Sequence, residues 1–132
     1  MQKKKVIVID AISHFSQKLC RENISPQAEV IFITDDDMLY ANLSDTDVIV
    51  TSTRAVTEEM LHKAHRCKLI QKLGTGVNNI CIEKATEKGV YVGNVAGENS
   101  LSVAEYAVML ILASCRHINI AHNKLVQQNI WM

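Results

Sequence analysis

The sequence predicts a parallel α/β sheet of about five strands, followed by a long C-terminal helix. Two observations carry this expectation. Short β-branched runs recur along the first hundred residues, with helix-forming segments between them. The last third then changes to an almost unbroken apolar run rich in Ala, Leu and Met. A chain of 132 residues holds one compact domain with its own core and is too short for two. The division expected is 1–100 for the sheet domain and 101–132 for the helix and tail.

The strands come first. Val6-Ile7-Val8-Ile9 is apolar on both faces, as a central strand of a parallel sheet must be, and it ends at Asp10. Val30-Ile31-Phe32-Ile33 and Val48-Ile49-Val50 repeat the pattern. Leu69 to Leu73 and Val90-Tyr91-Val92 are the fourth and fifth. Helices are expected over Ser13 to Glu22, Asp37 to Asn42, Thr57 to Ala64 and Cys81 to Lys88, with Glu58 and Glu59 suiting a first turn. Alternation at this spacing implies right-handed βαβ crossovers. The long helix is expected over Ser102 to Cys115, with Ser100 or Ser102 and Glu105 offering its capping start. Because it is apolar nearly all round, it must be buried nearly all round, which points to a second domain or a second subunit.

Composition narrows the function classes. Fourteen basic residues balance fourteen acidic ones, so no nucleic-acid or membrane footprint is expected. Lys3-Lys4-Lys5 reads as solvated charge ahead of the first strand. Cys20, Cys67, Cys81 and Cys115 form no C-x-x-C pair, and no signal peptide is expected because Asp10 cuts the first apolar run short. Free thiols in a cytoplasmic protein are the expectation. The run from Val103 to Cys115 is short of the roughly twenty residues that span a bilayer, and it contains Glu105.

Three polar loops end strands and carry the candidate chemistry. Gly74-Thr75-Gly76-Val77-Asn78-Asn79 follows the fourth strand, where glycines let consecutive N–H groups face an anion. These residues suit a carboxylate or phosphate site, and equally a plain strand-to-helix turn capped by Asn78 or Asn79. Gly93 to Ser100 is a second such loop, and Val50-Thr51-Ser52-Thr53-Arg54 a third. Ligands bind at strand C-termini in parallel sheets, so the three are expected to converge. Other candidates are weaker. His62 and His65 lack companion ligands for a metal, and His117 and His122 do not share a helical face. Ser52 has no elbow or paired histidine for hydrolysis. Asp35-Asp36-Asp37 follows the second strand and reads as a solvated loop, since a phosphoreceiver needs its acidic pocket after the first.

The stretches Leu69 to Ile80, Ala85 to Val90, and Asn94-Val95 with Asn99-Ser100-Leu101-Ser102-Val103-Ala104-Glu105 resemble the D-2-hydroxyacid dehydrogenases. They are closest to the phosphoglycerate branch, and the Asn-Ser-x-Ser-Val-Ala-Glu piece is also similar to formate dehydrogenase. The resemblance runs from about Val48 to Trp131. It implies a flavodoxin-like substrate-binding domain of an NAD-dependent oxidoreductase that acts on a 2-hydroxy or 2-keto acid. It places Thr51, Ser52, Gly74, Thr75, Gly76, Val77 and Asn99 at the substrate. Thr75, Ser100 and Val103 are placed at the cofactor. No catalytic or metal-binding residue is assigned to this chain: the family's catalytic Arg, Glu and His, and the G-x-G-x-x-G pyrophosphate loop, are expected in a cofactor domain beyond Met132. The fragment is therefore expected to be inactive alone and to form a homodimer through helix 102–115. A non-catalytic ligand-binding or corepressor-like module is the alternative.

Two residues depart from the pattern. Thr51 stands where phosphoglycerate-type enzymes commonly carry an arginine, with Arg54 three residues on. Asn78 stands where aspartate is usual.

Overall fold

The computed structural model describes residues 3–128 and 130. The chain order is β1 (Lys4–Val8), α1 (His14–Asn23), β2 (Ala28–Phe32), α2 (Asp36–Asn42), β3 (Val48–Thr51), α3 (Glu58–Lys63), β4 (Leu69–Lys72), α4 (Ile82–Glu87), β5 (Tyr91–Gly93), α5 (Ser100–Cys115) and α6 (Ile118–Gln128). The five strands form one sheet in the order β2-β1-β3-β4-β5, and every pairing is parallel. This is the flavodoxin-like order, with its switch point between β1 and β3. The chain divides into two compact units, Met1–Ala96 and Gly97–Met132.

Patterning explains the first unit. β1 lies between two strands, and its Val6, Ile7 and Val8 are all buried. In β3 and β4 burial alternates: Ile49, Thr51, Ile70 and Lys72 point into the core, whereas Val48, Val50, Leu69 and Gln71 are half-buried. The core joins Ile7, Ile9, Ile49 and Ile70 to Leu39 of α2, Met60 and Leu61 of α3, and Ala85 of α4. Side-chain caps start three helices. Ser13 accepts from the Ser16 N–H (3.1 Å), Asp35 from Met38 (2.8 Å) and Thr57 from Met60 (3.3 Å). α4 ends on Gly89, whose φ of +65° few L-residues adopt. The Val90 N–H reaches Ala85 O (2.8 Å) and the Gly89 N–H reaches Thr86 O (3.0 Å), which turns the chain into β5.

Four local expectations need correction. Lys4 and Lys5 belong to β1 and do not precede it, although Lys4 is exposed as expected of solvated charge. Lys4 pairs with Asp47 (3.2 Å) and Lys5 with Asp45 (2.6 Å), fixing the base of β1 to the entry of β3. The Asp35-Asp36-Asp37 triplet is the cap and first turn of α2, where carboxylates complement the helix dipole. α5 begins at Ser100, two residues before the expected start, and its N-cap position is Asn99, which makes no side-chain cap bond, so neither Ser100 nor Ser102 is its cap. The tail after Cys115 is helical: His117 adopts φ +52°, closes α5 and bends the chain by 62° into α6. No Gly or Pro marks that break, and a left-handed histidine leaves no trace in a propensity pattern.

In the second unit, α5 exposes Leu101, Val103, Val108, Met109, Leu110, Ile111 and Leu112. Among the described residues no single helix is long and apolar enough to cross a membrane.

Candidate functional site

Three loops leave the C-terminal ends of β1, β3 and β4, and the chemistry of each follows from what its N–H groups meet. After β3, the backbone turns so that the N–H groups of Ser52, Thr53 and Arg54 converge. Their acceptor is internal. Asp10, directly after β1 and only 8% exposed, takes the Ser52 N–H at 2.5 Å, the Thr53 N–H at 2.7 Å and the Arg54 N–H at 2.9 Å. The Thr53 hydroxyl adds a fourth bond at 2.7 Å. Burial pushes the Asp10 carboxyl up, but the Ser52 bond, then those from Thr53 and Arg54, outweigh it and hold it well below the usual carboxylate range. The nest after β3 is thus filled by the protein's own carboxylate.

The loop after β4 differs. Among the described residues, no acceptor meets the N–H groups of Gly74, Thr75, Gly76, Val77, Asn78 or Asn79. Thr75, Gly76 and Asn78 are exposed, and Gly74 and Val77 half-buried. The loop is nonetheless fixed. The Leu73 N–H donates to Thr51 O (2.7 Å), the Val95 N–H to Gly74 O (3.0 Å), and the Asn94 amide to Thr75 O (2.7 Å). The Thr75 hydroxyl reaches Val95 O at 3.2 Å. Asn79 caps no helix. Its amide donates to Arg54 O at 2.9 Å, and its backbone carbonyl accepts from the Val56 N–H at 2.8 Å. The N–H groups of this fixed loop are therefore left to solvent or to a ligand.

Charge separates this loop from the cleft at the switch point. That cleft is lined by Asp10, Asp35, Asp36, Thr34, Thr53 and Arg54, and its carboxylates repel an anion. Gly74 to Asn79 contains no acidic residue.

The sequence-predicted residues fall in both units. Thr51, Ser52, Gly74, Thr75, Gly76 and Val77 belong to the first, on loops tied together as above. Thr51 is fully buried, its hydroxyl 3.1 Å from Asp10 and 2.6 Å from Arg54 O, so it faces the loop interior. Arg54 is turned toward Asp36, with which it forms an ion pair, and toward Ile9 O (3.3 Å). It does not take the place of an arginine at Thr51. Asn99, Ser100 and Val103 lie in the second unit, at the start of α5, and all three are exposed. Sequence reasoning missed the roles of two residues of this region, Asp10 and Lys72, and read Asn79 as a helix cap where it ties the loop to Arg54 O. The available signals were an acid at the end of the central strand and a charged residue at a core position of β4.

The family model described as D-isomer specific 2-hydroxyacid dehydrogenase, catalytic domain, matches residues 6–131. The chain belongs to this family. D-3-phosphoglycerate dehydrogenase of Methanocaldococcus jannaschii is 36% identical over 115 residues, covering 86% of this chain and 22% of that protein. NAD-dependent formate dehydrogenase from Staphylococcus aureus, solved in complex with NAD, superimposes with a TM-score of 0.79 at 26% identity, covering 95% of this chain and 42% of that one. D-lactate dehydrogenase from Aquifex aeolicus shares the fold, with a TM-score of 0.83 at 20% identity, covering 98% of this chain and 39% of that one. The chain thus spans about a fifth to a third of the curated D-2-hydroxyacid dehydrogenase relatives it matches.

Proposed function

We propose that this chain is the substrate-binding domain of an NAD-dependent oxidoreductase acting on the CH–OH group of a 2-hydroxy acid. The observation that carries the reading is the row of N–H groups from Gly74 to Val77, fixed in place and without a protein acceptor among the described residues. These groups take the substrate carboxylate, with Ser52 beside them and Thr51 acting through Asp10 to hold the neighbouring loop. Asn99, at the start of α5, is a substrate-contacting position in this reading. Thr75, Ser100 and Val103, all exposed, stand open to the nicotinamide. The bound nicotinamide would supply the hydride acceptor for oxidation of the carbinol carbon. This chain's own residues bind and orient the acid, and no proton-transfer group is assigned to them. Isolated, the chain is inactive. A homodimer forms through helix 102–115.

Titration of the 132-residue chain with glycolate, followed by amide chemical shifts, tests the reading. Shifts centred on Gly74–Val77, with millimolar weakness, are expected, because this loop lies open to solvent. Shifts centred elsewhere, or micromolar binding of NAD by this chain alone, overturn it. Reading the gene past the Met132 codon separates enzyme from binding module. A G-x-G-x-x-G unit followed by Arg, Glu and His favours the enzyme.

A further inference from the structure

Lys72 ends β4 at a core position and is only 9% exposed. Its ammonium donates to Ser52 O and, at 2.8 Å, to Asn79 Oδ1. Both acceptors are neutral. Among the described residues no carboxylate stands within ion-pair distance of it, although other cations have found theirs: Lys4 and Arg66 at Asp47, Lys5 at Asp45, Arg54 at Asp36. A buried charge without a counter-ion is costly, and an ammonium has three donors, of which two are used. The lysine stem also underlies the anion seat. A Cβ on Gly74 would stand 3.5 Å from Lys72 Cε.

We propose that Lys72 is the fixed positive charge of the carboxylate site, a specificity-determining residue that makes the Gly74–Val77 seat prefer an acid over its neutral analogue. The proposal rests on the substrate-binding reading above and adds to it the source of the charge selectivity. Fixity follows from the bonds to Ser52 and Asn79, which hold the ammonium between the two loops so that it does not reorganise on binding. Its charge is weakly screened because the lysine itself is nine-tenths buried. The N–H row supplies geometry and hydrogen bonds; the lysine supplies net charge.

The test compares glycolate with glycolamide, its uncharged isostere, on the full 132-residue chain and its Lys72→Met and Lys72→Arg variants, by amide titration. Lys72→Met is expected to lose about tenfold or more in glycolate affinity, about 1.4 kcal/mol, while glycolamide binding changes little. Lys72→Arg is expected to keep the preference. Equal loss of both ligands in Lys72→Met makes Lys72 a merely structural tie and overturns the proposal, as does unchanged glycolate binding. In either case the substrate-binding reading stands, because wild type still binds at Gly74–Val77. Failure of wild type to bind glycolate there removes both. Should Lys72→Met not fold, the wild-type chain with carbon-13 at lysine Cε decides. The Lys72 resonance is expected to move with the same midpoint as the Gly74 amide, and its standing still while Gly74 moves overturns the proposal.

Discussion

The Asp10 carboxylate accepts the Ser52 N–H at 2.5 Å, so a residue two positions beyond β1 fills the nest that follows β3. Two strand ends are joined at the switch point by one side chain, which also collects Thr53 and Arg54. Replacing Asp10 by Ala leaves those part-buried N–H groups without their protein acceptor. A loss of about 3 kcal/mol is expected, read as a lower midpoint in urea unfolding. An unchanged midpoint shows that solvent satisfies the nest.

The same carboxyl makes stability depend on acid. Its folded pKa is depressed below the unfolded value, so the unfolded state binds the proton more readily. The contribution is complete above the unfolded value, about 4, and is lost progressively as the pH falls below it. Asp47, where burial is outweighed by the Lys5 N–H, Lys4 and Arg66, is lowered in the same sense. Unfolding free energies of Asp10→Asn are therefore expected to depend less on pH below about 4 than those of wild type. Parallel pH curves for the two proteins rule this out.

Gly89 carries a purely conformational prediction. A Cβ there meets nothing within 4 Å, yet φ is +65°. Gly89→Ala is expected to cost about 1 kcal/mol, a fall of roughly 3–5 °C in the thermal midpoint, without altering the glycolate response of the Gly74 loop. A fall of much more than 10 °C points to a contact that the backbone argument omits.

How far the sequence disclosed this molecule depends on the range of the interactions. β1 and β3 were legible because continuous β-branched runs leave few alternatives, and α3 because Thr57, Glu58 and Glu59 act locally. The Gly74 loop was legible as a glycine-rich turn after β4, but Thr51 was read as facing a ligand when its hydroxyl is turned to Asp10. Asp10 and Ser52 are 42 residues apart, and no local pattern reports which nest a carboxylate will enter. Lys72 shows the same limit: a lysine at a period-two core position is visible as an anomaly, but its acceptors lie on two other loops. α6 was missed because its break rests on one residue, His117, in an uncommon conformation.

The thiols differ in reach. Cys67 is 3% exposed, and burial pushes its thiol up, so it stays protonated and shielded. Cys115 is exposed. Reaction with a disulfide reagent under native conditions is expected to modify Cys115 first and Cys67 last, with Cys67 reacting at the rate of unfolding. Mass mapping of partly modified chain checks the order, and early labelling of Cys67 means that the core opens locally.

The last prediction concerns association. α5 shows Leu110, Ile111 and Leu112 in succession, at 47%, 61% and 58% exposure, so its apolar side chains point in several directions at once. Burial of one such side chain is worth roughly 1.5–3 kcal/mol, and a domain of this size has only about 5–15 kcal/mol in total. Leaving the whole helix in water is therefore unfavourable, and a second copy presents the same apolar surface at the same concentration. A two-fold pairing of α5 with α5 satisfies both chains through one self-complementary patch. The 132-residue chain is expected to sediment as a dimer at high micromolar concentration and to dissociate on dilution. Ile111→Glu places a charge in that patch and is expected to shift the equilibrium to monomer without altering the Gly74–Val77 titration, which belongs to the other unit. A wild-type monomer at high concentration removes the dimer, and a dimer that survives Ile111→Glu moves the interface away from α5.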